Sequence, residues 1–476
     1  MLGLCLVSAP LRAAEPDAPP ARVGQLAYIG GSARLLGDGS AEWTDAALNT
    51  PVVAHTALAT EPTSRAEIRI GSASLWLAPR TQIGMTTLDD HAMAVELVQG
   101  RLVLRLPALA PGERCSIAAE AARITVTASG AYRADYEPRR RRLVFSVVQG
   151  QAQLALDRGE LTLGADQWAA VDVDSRALLE QGSGVQRVPL DELAEKREQR
   201  DARSQALARL PAGMTGAEAL DGHGSWRVEP GYGSVWYPRG LPLDWAPYRY
   251  GHWVWLRRWG WNWVDDAVWG FAPTHYGRWV FLGGLWGWVP GAVVRPVYAP
   301  ALVGFYGHAD GAAWTPTAGG PAMVGWYPLA PGEVYWPAYA ADLAYARVLN
   351  AASVADSGAL RAWPDARDSA PAQRYARTAF AATAVPEAAF RSAQPVAGNF
   401  VAMAPAALAQ APVSARRAPP AFGGAAAPPI PATPPRDAAA AMPRAQRGPH
   451  EPRQGARPHP NKATSRPHPL RERLAR

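Results

Sequence analysis

The chain has 476 residues, enough for two or three domains, and a net charge of +7 at pH 7. That charge lies at one end. Residues 401–476 hold 12 Lys and Arg against 3 Asp and Glu, a net of +9, which leaves about −2 (7 minus 9) for the rest. The basic character therefore does not indicate a nucleic-acid-binding domain.

The first 14 residues form an apolar run that ends in Ala13-Ala14 and is typical of the end of a secretory leader. A true start upstream of Met1 would supply the basic segment that such leaders carry. Of the two cysteines, Cys5 lies in this leader and Cys115 follows it, so the mature chain has no disulfide framework, and we predict a buried, inert Cys115. We predict an exported or periplasmic protein with no membrane-spanning helix, because no later run of 18 apolar residues exists.

Residues 22–176 are predicted to form a β domain. Short runs with alternating apolar residues are separated by Gly, Pro and Asp, which favours a sandwich, barrel or β-roll. The predicted strands are 25–36, 66–70, 74–77, 94–98, 101–106, 123–127, 143–148, 152–156 and 168–173. The phrase Val98-Gln99-Gly100 returns as Val148-Gln149-Gly150, and each glycine is expected at a tight bend or bulge between strands.

This part resembles the FecR-type domain, the periplasmic sensor domain of iron-dicitrate regulators. The phrases that carry the resemblance are Leu58-Ala59-Thr60, Ser64-Arg65-Ala66-Glu67-Ile68, Leu75-Trp76-Leu77-Ala78-Pro79-Arg80-Thr81, Val98-Gln99-Gly100, Val126-Thr127-Ala128 and Val147-Val148-Gln149-Gly150. The resemblance implies the fold of a β domain, and contact with another protein is a hypothesis for it. The membrane helix and cytoplasmic segment of those regulators have no counterpart here, so the resemblance leaves a signalling role such as control of a sigma factor open.

Residues 187–210 are predicted to form one connecting helix. Pro189 suits its first turn, and Asp191 and Glu192 suit the positive end of its dipole. Its body is polar nearly all round, which favours a solvated connector, with a partner-binding helix as the alternative.

Residues 226–336 contain 15 of the 19 tryptophans. The phrase Tyr250-Gly251-His252-Trp253-Val254-Trp255 returns 26 residues later as Tyr276-Gly277-Arg278-Trp279-Val280-Phe281, which indicates a repeated supersecondary unit. Each copy is predicted to be a β-hairpin with aromatic rings on one side, because Gly and Pro recur too often for a helix. We expect a strand ladder to join the two copies.

The Trp-rich segment, residues 211–350, also resembles an uncharacterised Trp-rich repeat family that follows FecR-like domains in exported bacterial proteins. The longest matching stretch is Trp259 through Trp279, which includes Val264-Asp265-Asp266-Ala267 and Trp269-Gly270-Phe271-Ala272-Pro273. Other matching phrases are Gly233-Ser234-Val235-Trp236-Tyr237-Pro238 and Val324-Gly325-Trp326-Tyr327-Pro328-Leu329. That family has no assigned activity, so the resemblance implies a domain and not a mechanism.

Two roles are open for the tryptophans. They can form the core that a Gly- and Pro-rich segment otherwise lacks, since one buried indole hides about 150–250 Å². Alternatively, a row of exposed rings can stack on the sugars of peptidoglycan or another envelope glycan. The candidate glycan-binding residues are Trp253, Trp255, Trp261, Trp263, Asp265, Asp266, Tyr276 and Trp279.

Catalytic and metal chemistry have weaker support. Asp265, Asp266 and His275 could divide acid and base roles in a hydrolase, and His252, Asp265 and His275 could bind a metal. Neighbouring strand residues point to opposite faces, however, and no ligand spacing of the HxxxH or HxH kind is present. We therefore predict no enzyme activity, no catalytic residue, no cofactor and no metal.

Residues 351–476 are rich in Ala, Pro and Arg and are predicted to form a disordered basic tail that can contact an anionic surface. Taken together, the sequence predicts a mainly β, exported, non-enzymatic protein. It would act as a structural or protein-interaction module of the envelope, with glycan binding by the Trp-rich domain as the alternative.

Overall fold

A computed structural model describes residues 18–306, 314–316, 320–337, 339, 343–355 and 373–414, all of which lie in one compact unit. The predicted leader, 1–14, and the tail beyond 414 lie outside the described residues. About 42% of the described residues lie in strands and 13% in helices, so the fold is mainly β, as the sequence predicts. None of the described helices has the length and apolar character that crossing a bilayer needs.

The first domain is built from 17 strands and one short 3₁₀ helix, Pro138–Arg140. The strands are β1 Gly24–Gly30, β2 Ala33–Leu36, β3 Thr44–Asp45, β4 Pro51–Val52, β5 Ala57–Thr60, β6 Arg65–Ile70, β7 Ala73–Leu77, β8 Gln82–Leu88, β9 Ala92–Leu106, β10 Arg114–Ala119, β11 Ala122–Val126, β12 Gly130–Glu137, β13 Arg142–Gln149, β14 Gln151–Leu156, β15 Gly159–Gly164, β16 Gln167–Asp172 and β17 Leu178–Ser183. They extend past the predicted domain end at 176.

These strands form two layers that share β9. One layer runs β4-β1-β6-β7-β9-β12-β13-β16-β17, and the other runs β3-β2-β5-β8-β9-β10-β11-β14-β15. Apolar side chains from both layers, such as Ile68 and Leu104 from one and Ile83 and Ile117 from the other, form one continuous core. The predicted runs 94–98 and 101–106 are thus halves of one strand.

Glycine allows the chain to pass between the layers. Gly100 has φ +91°, and a Cβ there would lie 2.7 Å from the Arg80 carbonyl oxygen and the Thr81 Cα. Residues before it pair with β8 and residues after it pair with β7. Gly150, φ +98°, plays the same part between β13 in one layer and β14 in the other. The repeated phrase therefore does mark two bends, as predicted.

The predicted helix 187–210 is two helices, α1 Pro189–Asp201 and α2 Gln205–Arg209. The first ends at Asp201, and Ser204 caps the second, because its hydroxyl accepts a hydrogen bond from the Leu207 N–H at 3.0 Å.

The expectation that this helix is a solvated connector is wrong for one of its faces. Leu190 and Ala194 of α1 pack on Trp76 and Val103, on the outer face of the layer that contains β17.

Charged residues of α1 complete this contact. Arg69 pairs with Asp201, Arg105 pairs with Glu198, and Arg133 pairs with Asp191. Glu67 is fully buried below the helix, and burial raises the pKa of its carboxyl despite the neighbouring Arg69. The helix therefore covers the sheet and forms ion pairs with charged side chains that the strand pattern places on its outer face.

The Trp-rich segment and the chain that follows it form shorter elements. They are the 3₁₀ helix Ala217–Leu220, β18 Gly224–Glu229, β19 Gly233–Pro238, β20 Gly251–Leu256, β21 Gly260–Asp265, α3 Phe271–His275, β22 Arg278–Leu282, β23 Leu285–Val289, β24 Val303–Tyr306, β25 Met323–Pro328, α4 Leu343–Asn350, β26 Thr383–Pro386, α5 Glu387–Arg391, α6 Pro405–Gln410 and β27 Val413–Ser414.

The two predicted hairpins are present. β20 and β21 pair with Trp253 opposite Trp263 and Trp255 opposite Trp261, while β22 and β23 place Trp279 opposite Trp288. The expected ladder between the copies is not found among the described strands: β20–β21 is a sheet of its own, and β22–β23 joins β18–β19. Side chains join the copies instead, since rings from both hairpins enter one core.

The predicted boundary of the disordered tail at 351 is too early. Residues 373–414 return to the Trp-rich core, where β26 pairs with β25 and β27 pairs with β24. Phe390 of α5 is buried, with its ring centroid 4.5 Å from that of Trp261 and 5.6 Å from that of Trp253. The sequence did not predict this contact, because the segment has a low-complexity composition and the partners of its apolar residues lie far away in the sequence.

We expect Gly100→Ala to destabilise the protein more than Gly159→Ala, by about 1–3 kcal/mol. Both glycines have positive φ, but nothing lies within 4 Å of a Cβ at Gly159, whereas a Cβ at Gly100 meets backbone. Urea unfolding of the two variants measures the difference. Equal costs would show that the close approach at β9 is not a constraint.

We expect Phe390→Ala to lower the free energy of unfolding by about 3–5 kcal/mol, because it opens a cavity against three buried indoles. Val401→Ala, on the same returning segment but 40% exposed, is the control and is expected to cost far less. Thermal unfolding followed by tryptophan fluorescence provides the measurement. A change at Phe390 no larger than the control would contradict the docking of this segment.

Candidate functional site

The centre of the second domain is a cluster of buried indoles. Trp236, Trp253, Trp263, Trp279, Trp288 and Trp326 are all fully buried. Their rings meet mainly edge to face, with centroids 5.4 Å apart for Trp253 and Trp263 and 5.3 Å apart for Trp253 and Trp326. That geometry is the one that the charge distribution of aromatic rings favours.

Three of the six indole N–H groups in this cluster donate to backbone carbonyls. Trp279 donates to the Pro273 carbonyl at 3.0 Å, Trp288 to the Tyr276 carbonyl at 2.8 Å, and Trp326 to the Tyr248 carbonyl at 2.8 Å. Each of these three rings therefore both fills the core and fixes a loop that has no regular hydrogen-bond ladder.

Most of the predicted glycan-binding residues do not reach solvent. Of the aromatic candidates, Trp253, Trp261, Trp263, Tyr276 and Trp279 are buried, and only Trp255 is exposed, at 41%. Of the two carboxylates, Asp265 is buried and Asp266 is exposed. Stacking on a sugar needs a free ring face, so a row of indoles on this hairpin cannot serve as a platform in this conformation.

Asp265 is held by the core. Its carboxylate accepts a hydrogen bond from the Trp263 indole at 2.9 Å and another from the Ala267 N–H at 3.0 Å. Burial raises the pKa of Asp265 to about 7, and the two hydrogen bonds oppose that rise. The side chain closes the turn after β21, which is an ordinary structural use of aspartate.

His275 is also enclosed. The centroid of its ring lies 4.5 Å from the ring centroid of Phe271 and 4.5 Å from that of Tyr298. Its Nδ1 is 2.7 Å from the Ala299 carbonyl oxygen. Burial lowers the pKa of His275 to about 3, so the ring is neutral at physiological pH. No group of three or more His, Cys, Asp or Glu in the described residues is placed to hold a metal ion.

Asn49 of the first domain fixes the turn that carries Asp265. Its amide nitrogen donates to the carbonyl oxygens of Asp265 and Ala267 at 2.8 and 2.7 Å, and its amide oxygen accepts from Gln25 at 2.7 Å. Asn49 is buried and has φ +64°, a conformation that asparagine tolerates well. Sequence reasoning missed this residue, because an asparagine before a strand looks like a simple turn.

A second polar contact joins the domains at Thr215. Its hydroxyl donates to the Val23 carbonyl at 2.9 Å and accepts from the Gly71 N–H at 2.9 Å. Buried, fully used hydrogen bonds of this kind fix one relative placement of two domains. The two β domains therefore form one continuous body over their described residues.

The first domain also has an unpaired sheet edge. All six residues of β17 are exposed, and β17 pairs only with β16 among the described strands. Leu178 and Leu179 on this strand are 38% and 50% exposed. An exposed edge with apolar side chains is a place where another strand can add.

Cys115 is the one cysteine in the described residues, and its thiol is buried. Burial, with a smaller contribution from Glu113, raises its pKa to about 12. A thiol in this state is a poor nucleophile and metal ligand, as the sequence predicts for this residue.

Comparison with known proteins adds a family for the second domain. Residues 217–333 match a family of unknown function (DUF6600). The match lies within the predicted Trp-rich domain, 211–350. No curated protein matches the chain.

Two crystal structures of a "putative anti-sigma factor" from Parabacteroides distasonis ATCC 8503 are similar, each at 11% identity and a TM-score of 0.24. The first match covers 27% of this chain and 59% of that chain, and the second covers 39% and 99%. The chain thus spans about three fifths of the first of these structures.

The buried pair Asp265 and His275 predicts opposing pH effects. The pKa of Asp265 is raised on folding, so its contribution to stability is complete below about pH 4 and is lost as pH rises to about 7. The pKa of His275 is lowered, so its contribution is complete above about pH 6.5 and is lost as pH falls towards 3. The changes that the two groups cause in the free energy of unfolding with pH therefore cancel between about pH 4 and 6.5.

We expect Asp265→Asn to remove the decrease in unfolding free energy with pH that Asp265 causes, so that the increase caused by His275 is no longer cancelled. Between pH 4.5 and 6.5 its stability relative to the parent protein should rise by about 1.4 kcal/mol per pH unit. His275→Gln serves as the matched control and should give a slope of opposite sign. Urea unfolding at several pH values measures both, and parallel curves for the parent and both variants would contradict the burial of these groups.

Proposed function

We propose that this chain is a non-enzymatic structural or protein-interaction module of the cell envelope, and that its first domain contacts another protein. The observation that carries the proposal is the edge strand β17, with its unused backbone groups and the exposed Leu178 and Leu179. An extended segment of a partner can add to such an edge by main-chain hydrogen bonds, with apolar contacts to the two leucines.

The chemistry of the second domain supports the same proposal. The indoles are used inside the domain, and the catalytic-looking carboxylate and imidazole are buried and hydrogen bonded to neighbouring loops. Together with the polar contacts at Asn49 and Thr215, they support a scaffold that holds the first domain in a fixed orientation.

Export to the periplasm or another extracytoplasmic site is part of the proposal. It is supported by the apolar leader-like sequence at 1–14 and by the resemblance of the first domain to FecR-type domains. Sugar stacking by the β20–β21 hairpin is not proposed, because its rings are buried apart from Trp255.

We test the edge with a photo-crosslinking amino acid at Leu179 in the intact host, followed by analysis of the envelope fraction. We expect one dominant crosslinked protein. The same amino acid at Val228, which is 83% exposed on β18, is the control and should not capture it.

We expect Leu179→Lys to abolish co-purification of that protein, since a lysine at a sheet edge discourages strand addition. Val228→Lys should leave co-purification unchanged. Capture of the same protein from both crosslinking positions would refute a role for this edge. Unchanged co-purification with Leu179→Lys would refute it as well. Recovery of the crosslinked species only from the cytosol would refute the location.

A further inference from the structure

A cleft of about 740 Å³ lies between the helices α1 and α2 and the hairpin β18–β19. It is separate from the edge strand β17, and it borders the indole core at Trp236. Its volume is that of sites for compact ligands, which run from about 300 to 1,000 Å³.

The cleft is strongly basic. Lys196, Arg200 and Arg203 follow one another at spacings of four and three along and just beyond α1, and Arg209 and Arg239 line the other sides. None of these five side chains has an ion pair with a described residue. The opposite face of α1 is different, since its charged residues pair with those of the sheet.

One carboxylate lines the cleft, and it is already in use. The Asp221 Oδ1 accepts a hydrogen bond from the Ala206 N–H at the start of α2, at 3.1 Å. Five cationic side chains thus line the cleft together with one carboxylate, which already accepts a hydrogen bond. Their mutual repulsion is relieved when an anionic ligand enters, which favours binding of a group with more than one negative charge.

The wall of the cleft adds an aromatic ring. Trp226 is half-buried on β18, and the Arg209 guanidinium lies 5.9 Å from its ring centroid. Gln199, Gln205 and Ser225 also line the cleft and can hydrogen bond to hydroxyl groups. The combination offers cations for phosphates, a ring for an apolar sugar face, and polar side chains for sugar hydroxyls.

We propose that this cleft binds a compact carbohydrate that carries more than one phosphate. Arginine suits phosphate because its planar N–H groups can bind two oxygens at once. A single-stranded nucleic acid fits less well, since such sites use several exposed rings in succession along a groove. Here Trp226 is the one accessible indole that lines the cleft, because Trp236, opposite it on β19, is fully buried.

The proposal is tested by calorimetric titration of the full chain at low salt. The probes are glucose 1,6-bisphosphate, inorganic pyrophosphate, glucose and a ten-residue oligothymidylate. We expect glucose 1,6-bisphosphate to bind most tightly, pyrophosphate to bind more weakly, and glucose to show no binding.

Arg200→Glu with Arg203→Glu should weaken binding of the bisphosphate by about tenfold or more. The control is Arg139→Glu with Arg158→Glu, two exposed arginines outside the cleft, which should change it by less than about twofold. Because both double variants keep the basic C-terminal residues, binding there would respond equally to both. An equal response would overturn the proposal.

Trp226→Ala distinguishes a sugar phosphate from phosphate alone. It should weaken binding of the bisphosphate and leave binding of pyrophosphate unchanged. Circular dichroism shows that each variant is folded. Equal loss for both probes would remove the sugar from the proposal. Tighter binding of the oligothymidylate than of the bisphosphate would replace the proposed ligand with a nucleic acid.

Discussion

Edge-to-face packing of buried indoles is the interaction on which the second domain depends. Its strands are short, and glycine and proline interrupt them too often for long ladders. The core is therefore built by large rigid rings, each of which hides about 150–250 Å². Trp279, Trp288 and Trp326 also donate their N–H groups to backbone carbonyls of nearby loops. This arrangement explains why two copies of one hairpin share no strand pairing and still form one domain, since their rings meet in the same core.

The same packing determines what the conspicuous polar residues do. Asp265 and His275 sit beside the rings, where burial moves their pKa values in opposite directions and loop hydrogen bonds hold them. Asn49 then binds the outside of the Asp265 turn and so connects the first domain to the indole core. Residues that look like a catalytic set in the sequence are used to position loops.

Local patterns predicted much of this fold. Alternating runs located many of the strands, and the repeated Gly100 and Gly150 phrases located both passages between layers, because steric limits on φ are a property of the single residue. The hairpins at β20–β21 and β22–β23 followed from a repeat. In contrast, the sequence could not show which side of a Trp-bearing strand faces the core, since the pattern is compatible with burial or exposure. It also could not show that Phe390 packs on Trp253, because that contact joins distant positions across a low-complexity stretch.

The return of residues 373–414 has a consequence for biosynthesis. Trp253 is synthesised long before Phe390, against which its ring packs. The strands β24 and β25 likewise pair with β27 and β26, which come last in the described part of the chain. Until those residues emerge, the nascent domain exposes aromatic surface that is prone to aggregation. Folding of this domain therefore cannot be completed before residues 373–414 have been synthesised, and a chain that stops before them would keep this aromatic surface exposed.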